Sequence, residues 1–218
     1  MRLLVILFFL IIGSTAANAQ IFGGRIGVAT NQISSDSIYI QNNNGVDTFR
    51  LSMENGKNST LVGVFFRMPM GAFYLEIEPM FATLNYPIRI QNLQDWNGGS
   101  LVKQERFTTF DVGLSAGFRL WKAVRFQGGI RSQIWTNYQS ELNNYTNDYT
   151  NDWSRTIQSY HAGIGLDIVR VTLDFGFERT INGIGDNVSF LGNSTNFNAN
   201  RNRFSVKVGV RLFSYEED

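Results

Sequence analysis

From residue 203 to 213 the chain reads RFSVKVGVRLF. Phe204, Val206, Val208, Val210 and Leu212 alternate there with Arg203, Ser205, Lys207, Gly209 and Arg211. A strand turns successive side chains to opposite faces, so this spacing makes one face apolar and the other charged or small. The same period marks residues 21–30, 60–68, 72–84, 106–120, 124–135, 159–168 and 171–179. Short turns fall at Met68-Pro69-Met70-Gly71, near Trp121-Lys122 and at Val169-Arg170. Long polar segments fill 85–105, with Trp96-Asn97-Gly98-Gly99 as its turn, 137–154 and 180–202. The first two segments read as one long hairpin turning at Asn42-Asn43-Asn44-Gly45, since Asn and Gly tolerate positive φ. That register sets Ile40 opposite Val46, Gly24 opposite Val62 and Phe22 opposite Val64. A separate extra hairpin in the wall, giving ten strands, is the competing count. Pro79 removes a ladder donor, so a bulge or local defect is expected there.

Eight strands with connections alternating long and short predict an all-β fold. The expectation is an eight-stranded antiparallel up-and-down transmembrane β-barrel with a packed polar lumen and both termini on the periplasmic side. Spans of roughly 9 to 11 residues suit a tilted crossing of the hydrocarbon band. A soluble barrel would show the same alternation with the apolar face inward. Three features choose between them. Lysine is confined to Lys57, Lys103, Lys122 and Lys207, whereas exposed β surfaces use it freely. The polar face is rich in Gly and Ser, which leave room for large charged neighbours. Phe107, Trp121, Trp135, Tyr138, Trp153 and Tyr160 fall near predicted strand ends, where aromatic girdles sit.

The chain opens Met1-Arg2, continues with an apolar run from Leu3 to Ile12, and reaches the small-residue site Ala17-Asn18-Ala19. This describes a secretory signal peptide over 1–19, leaving one barrel domain over 20–218. No later apolar run approaches the roughly 20 residues of a spanning helix. With no cysteine there is no disulfide, thiolate metal site or lipidated N-terminal Cys. Loss of Arg2 with the leader leaves 18 basic side chains against 18 acidic ones, which argues against a nucleic-acid partner.

With its leader, eight alternating segments and a last segment ending GVRLF, the chain resembles the PorT-like outer-membrane β-barrel domain family and, more loosely, the OmpA/OmpX type. The resemblance covers the whole mature chain as a pattern. It implies a Gram-negative outer-membrane location and a part in secretion machinery. Such barrels end on an aromatic residue; here Ser-Tyr-Glu-Glu-Asp follows Phe213, and strict parity turns Leu212 rather than Phe213 toward lipid.

The inward set is Arg25, Arg67, Glu76, Glu78, Asp111, Arg119, Arg125, Arg131, His161, Asp167, Asp174, Glu178, Arg203, Lys207 and Arg211. Unpaired charges in a narrow interior are too costly, so these groups should pair and fill it as a structural network. Eight strands leave room for side chains but not for an aqueous channel. His161, the single histidine, falls opposite Glu178 if Val169-Arg170 is a two-residue turn, which predicts a His-Glu contact. A lipid A deacylase-like His/Ser/Glu site would face lipid, and His161 has lumen parity. Asn147-Asp148 and Asn151-Asp152 lack the spacing of a Ca²⁺ loop. No catalytic, cofactor or metal site is expected. The expected partners are outer-membrane lipid and lipopolysaccharide, with proteins at the loops, and the barrel is expected to be a monomer. A structural or surface-interaction role follows; a narrow solute or ion channel and a lipid A-modifying enzyme are the alternatives.

Overall fold

The computed structural model describes residues 20–35, 38–41, 48–54, 56–93, 100–121, 123–141, 150–153, 156–182, 185–190, 193–196 and 199–214. Its strands are β1 (Ile21–Ser35), β2 (Ile38–Gln41), β3 (Thr48–Met53), β4 (Gly56–Met70), β5 (Phe73–Asn92), β6 (Ser100–Leu120) and β7 (Val124–Ser140), followed by β8 (Thr150–Trp153), β9 (Thr156–Ile168), β10 (Val171–Thr180), β11 (Gly185–Phe190), β12 (Asn193–Asn196) and β13 (Ala199–Ser214). The wall runs β1-β4-β5-β6-β7-β9-β10-β13, each neighbour antiparallel, and β13 returns to pair with β1. The sheet therefore closes with eight strands and leaves no edge in the wall. β2 and β3 form a hairpin that joins β5 above the ring rather than entering it. A small second sheet, β12-β11-β8, joins two of the long connections.

The polarity of the wall is inverted relative to a water-soluble barrel. Ile26 is 62 % exposed while its neighbour Arg25 is 2 % exposed, and the pattern repeats around the ring. Along β5 the outward side chains run Phe73, Leu75, Ile77, Pro79 and Phe81, then Thr83, Asn85, Arg89 and Gln91. The inward ones run Tyr74, Glu76 and Glu78, then Met80, Ala82, Leu84, Tyr86, Ile88 and Ile90. Parity is constant; polarity swaps. Outward residues make the same change between Phe110 and Thr108 on β6, Phe204 and Asn202 on β13, and Val28 and Thr30 on β1. An apolar band thus ends at one level; above it β5 carries a polar outside over an apolar inside, while β1, β6 and β13 turn Asn31, Glu105 and Arg201 inward.

That swap explains why strands pass through segments whose sequence reads as loop. β5 and β6 stay paired up to Gln91 opposite Ser100, so most of 85–105 is ladder. Likewise β7 continues to Ser140, and β11, β12 and the start of β13 occupy much of 180–202. The first hairpin has a different register from the expected one. Gly24 faces Val64, Phe22 faces Phe66 and Ile40 faces Phe49, each further along the returning strand than read from a turn near Asn43. A register shift between Ala29 and Asn31 breaks the single ladder that the sequence reading assumed. Residues 42–47, 94–99 and 1–19, which hold two expected turns and the leader, lie outside the described residues.

Pro79 causes no bulge. The expected local defect is there instead: the β4–β5 ladder keeps its register, with Gly63 opposite Met80 and Phe66 opposite Ile77, but the two rungs between them, at Pro79 and Glu78, are missing, while on its other side Pro79 faces Val112. At the chain's end a bulge does occur: Phe22 faces Phe213 but Gly23 faces Arg211, which leaves Leu212 as the extra residue. Leu212 and Phe213 both stand exposed, and Phe213 stacks on Phe22 with ring centroids 6.4 Å apart. Strict parity fails there because a bulge sets two residues against one. The short turns are tight: Gly71, Trp121 and Val169 all have positive φ, of 67°, 50° and 53°.

Candidate functional site

The most concentrated chemistry lies inside the barrel. Arg25, Arg67, Arg125, Arg131, Arg203 and Lys207 are buried with Glu76, Glu78, Asp111, Asp167, Asp174 and Glu178. Gly and Ser on the inward parity make the room. A Cβ on Gly165 would strike the Arg125 guanidinium and the Asp174 carboxylate, and one on Gly117 would strike the Tyr74 ring.

In the lower lumen the pairs close into a circuit. Arg25 donates to Glu76 at 2.9 Å, Arg67 bridges Glu76 at 2.7 Å and Asp167 at 3.1 Å, and Arg125 bridges Asp167 and Asp174, both at 2.9 Å. Asp174 then returns to Arg25 at 3.1 Å. From this circuit a second run climbs the bore. Arg25 also meets Glu78, which takes Lys207 at 2.7 Å and Arg131 at 2.5 Å. Arg131 continues to Glu178 at 3.2 Å, and Arg203 joins Glu178 at 2.5 Å to Asp111 at 3.0 Å. Two aromatic rings brace the guanidinium groups: Arg25 lies 4.3 Å from the Phe65 ring centroid, and Arg67 lies 5.1 Å from that of Tyr74. Face-on contacts of this kind are attractive, the more so away from water.

Arg201 belongs to the same network. It is buried, donates to Glu178 at 2.9 Å and Gln133 at 2.6 Å, and reaches the Tyr86 hydroxyl at 3.3 Å. By sequence it falls in the polar segment 180–202. Its signal was there, since Arg201 shares parity with Arg203, Ser205 and Lys207. Arg119 and Arg211 sit apart from the deep cluster, half-buried at the end of the barrel that carries the short turns.

His161 does stand opposite Glu178 in the β9–β10 ladder. Its hydrogen bond, however, is to Ser115, with Nε2 and Oγ 2.8 Å apart, while Glu178 is occupied by arginines and by Ser159 at 2.9 Å. The expected His-Glu contact is replaced because Ser115 of β6 lies in the same rung as His161, with only Gly129 of β7 between them, and reaches the imidazole over that glycine. A His-Ser pair suggests a nucleophile and its base. Here Ser115 is buried, Nδ1 of His161 has no carboxylate to orient it, and the cavity beside it holds about 20 Å³, room for one water. No substrate fits such a space.

Above the apolar band the bore is closed by aromatic packing. Phe107 is fully buried, 4.2 Å from Trp135, 4.9 Å from Tyr138 and 5.7 Å from Tyr86 by ring centroid. It is therefore an interior residue and not part of an outer girdle, because residues 105 and 107 continue the inward parity of Asp111 and Thr109. Trp121 and Tyr160 do face outward. Glu105, on this upper storey, accepts from Ser140 at 2.6 Å, and burial raises its carboxyl above the usual range despite that hydrogen bond. Among the described residues no group of three or more His, Asp or Glu side chains is placed to hold a metal.

No family model matches the chain, and no curated protein matches it. In structure it is similar to the outer membrane protein OprG from Pseudomonas aeruginosa, with a TM-score of 0.54 over 90% of this chain and 97% of that one, at 10% identity. It also aligns with Ail, the attachment invasion locus protein of Yersinia pestis, in complex with the heparin analogue sucrose octasulfate. That match has a TM-score of 0.46, 15% identity and coverage of 89% and 99%. Neisserial surface protein A aligns at a TM-score of 0.46 and 10% identity, covering 88% and 97%. At such identities the likeness is one of fold.

Proposed function

We infer that the chain is an outer-membrane β-barrel of a Gram-negative cell, closed inside by its ion pairs and working through the loops at its upper end. The observation that carries this reading is the combination of an apolar outer band with a charged, internally paired bore. Exposed apolar side chains on this scale need lipid to cover them. Buried charges paired on every side fill the space that a water path would need. Residues 1–19 serve as the leader, and residues 20–218 as a single monomeric barrel with both termini in the periplasm.

The charged interior is structural in this account, and the protein is not an enzyme. The long connections carry the surface role, and lipopolysaccharide surrounds the band. On the PorT-like and OmpA/OmpX-type resemblance, that role includes service as an accessory of a secretion machinery. A narrow channel would have to break the circuit of Arg25, Arg67, Arg125 and their carboxylates. Conductance of the purified protein in a planar bilayer tests the reading: the expected record is a flat baseline at 100 mV-scale potentials with no steady unit openings. Reproducible single-channel steps would overturn the plugged lumen and install the channel in its place.

A further inference from the structure

The outer face of the barrel carries a groove of about 710 Å³, a size within the roughly 300–1,000 Å³ of sites that take a discrete ligand. Phe175, Phe177 and Phe204 wall it, and its floor is the methyl of Ala162 beside the bare backbone of Gly163 and Gly176. The groove rises from Phe126 and Ile164, toward the short-turn ends of β7 and β9, to the top of the apolar band, where Phe177 and Phe204 are the last outward apolar residues of β10 and β13 below the change in polarity.

Immediately above Phe177, on the same outer face, stands Arg179, exposed and opposite Tyr160 of β9 and Asn202 of β13. Among the described residues it has no ion pair, and the outward neighbours Gln158, Tyr160, Asn202 and Gln32 include no carboxylate. A lone guanidinium at the upper boundary over an apolar groove is complementary to an anionic amphiphile. The planar fork of an arginine takes two phosphate oxygens at once. Acyl chains would meet the phenylalanines below.

We propose that this groove is a binding site for one phosphorylated, multiply acylated lipid of the outer leaflet, of lipid A chemistry. Its phosphate rests on Arg179 and an acyl chain lies along Ala162. This rests on the outer-membrane reading above.

The test refolds the full mature chain into phosphatidylethanolamine vesicles containing lipid A at low mole fraction, then releases it into mild detergent for native mass spectrometry. Wild type should retain one lipid A. Arg179→Gln, or lipid A stripped of its phosphates, should lower retention roughly tenfold, or about 1.4 kcal/mol. Arg179→Lys should recover most of it, and Ala162→Trp, which fills the groove, should remove it. Heat-dependent gel mobility confirms that each variant is folded. Equal retention by wild type, Arg179→Gln and the dephosphorylated lipid overturns the site, as does a protein dimer without lipid. If wild type inserts and keeps no lipid A, this site alone fails; if it does not insert, the outer-membrane reading fails and takes the site with it.

Discussion

Glu78 is one of two carboxylates that each gather three cations: as Arg131, Arg201 and Arg203 turn to Glu178, so Arg25, Arg131 and Lys207 turn to Glu78. Glu78→Gln keeps the volume and removes the charge, leaving those cations under-compensated where water cannot reach. Breaking a buried pair in this way costs about 3–5 kcal/mol. Glu54→Gln, at the half-exposed Arg89 pair, should cost less than about 1 kcal/mol. Urea unfolding in vesicles, followed by tryptophan fluorescence, checks both; equal midpoints for the two variants would count against the network. Val169 offers a change of opposite sign. A β-branched residue at φ 53° is strained in its turn. Val169→Gly should raise stability by about 1 kcal/mol in the same assay, since this exposed side chain has little packing to lose.

Strands show where alternation is a sufficient guide and where it is not. Within the apolar band, outward Val208 and inward Lys207 were assignable from parity alone, because the two environments differ as sharply as lipid and a paired-charge bore. Above the band the contrast reverses on β5, so the polar residues Asn85, Arg89 and Gln91 read as loop although they are its wet outer face. Arg201 is hidden in a segment whose outer face is polar, and Phe107 resembles a girdle residue by its place near a strand end although its parity is inward. The Ser115 contact of His161 passes over Gly129 of β7, so reading it takes the registers of two successive strand pairs, β6–β7 and β7–β9, rather than that of the β9–β10 hairpin alone. The height of the band has its own test. Val208→Arg, well inside it, should cost about 2–4 kcal/mol, whereas Asn202→Arg, just beyond it on the same face of β13, should cost about 0–1. Similar losses at both positions would place the boundary elsewhere.

At the level of the whole molecule, the ring sets the start of β1 and the end of β13 on one side and the long connections on the other. The three short turns, at Gly71, Trp121 and Val169, lie with Ile21 and Ser214. An epitope tag inserted at 97–98 should therefore be labelled by antibody on intact cells, and one appended after Asp218 only after permeabilisation. The reverse pattern would turn the barrel over. Such a topology also has a temporal side. Because β13 seals against β1, the last 16-residue strand is the partner the first has been waiting for, and pairings so distant in sequence form slowly. A nascent chain arrested before Ala199 would hold two raw borders, on β1 and β10, with its grease already turned outward. Closure of the ring accordingly waits on the final strand, which covers both borders at once.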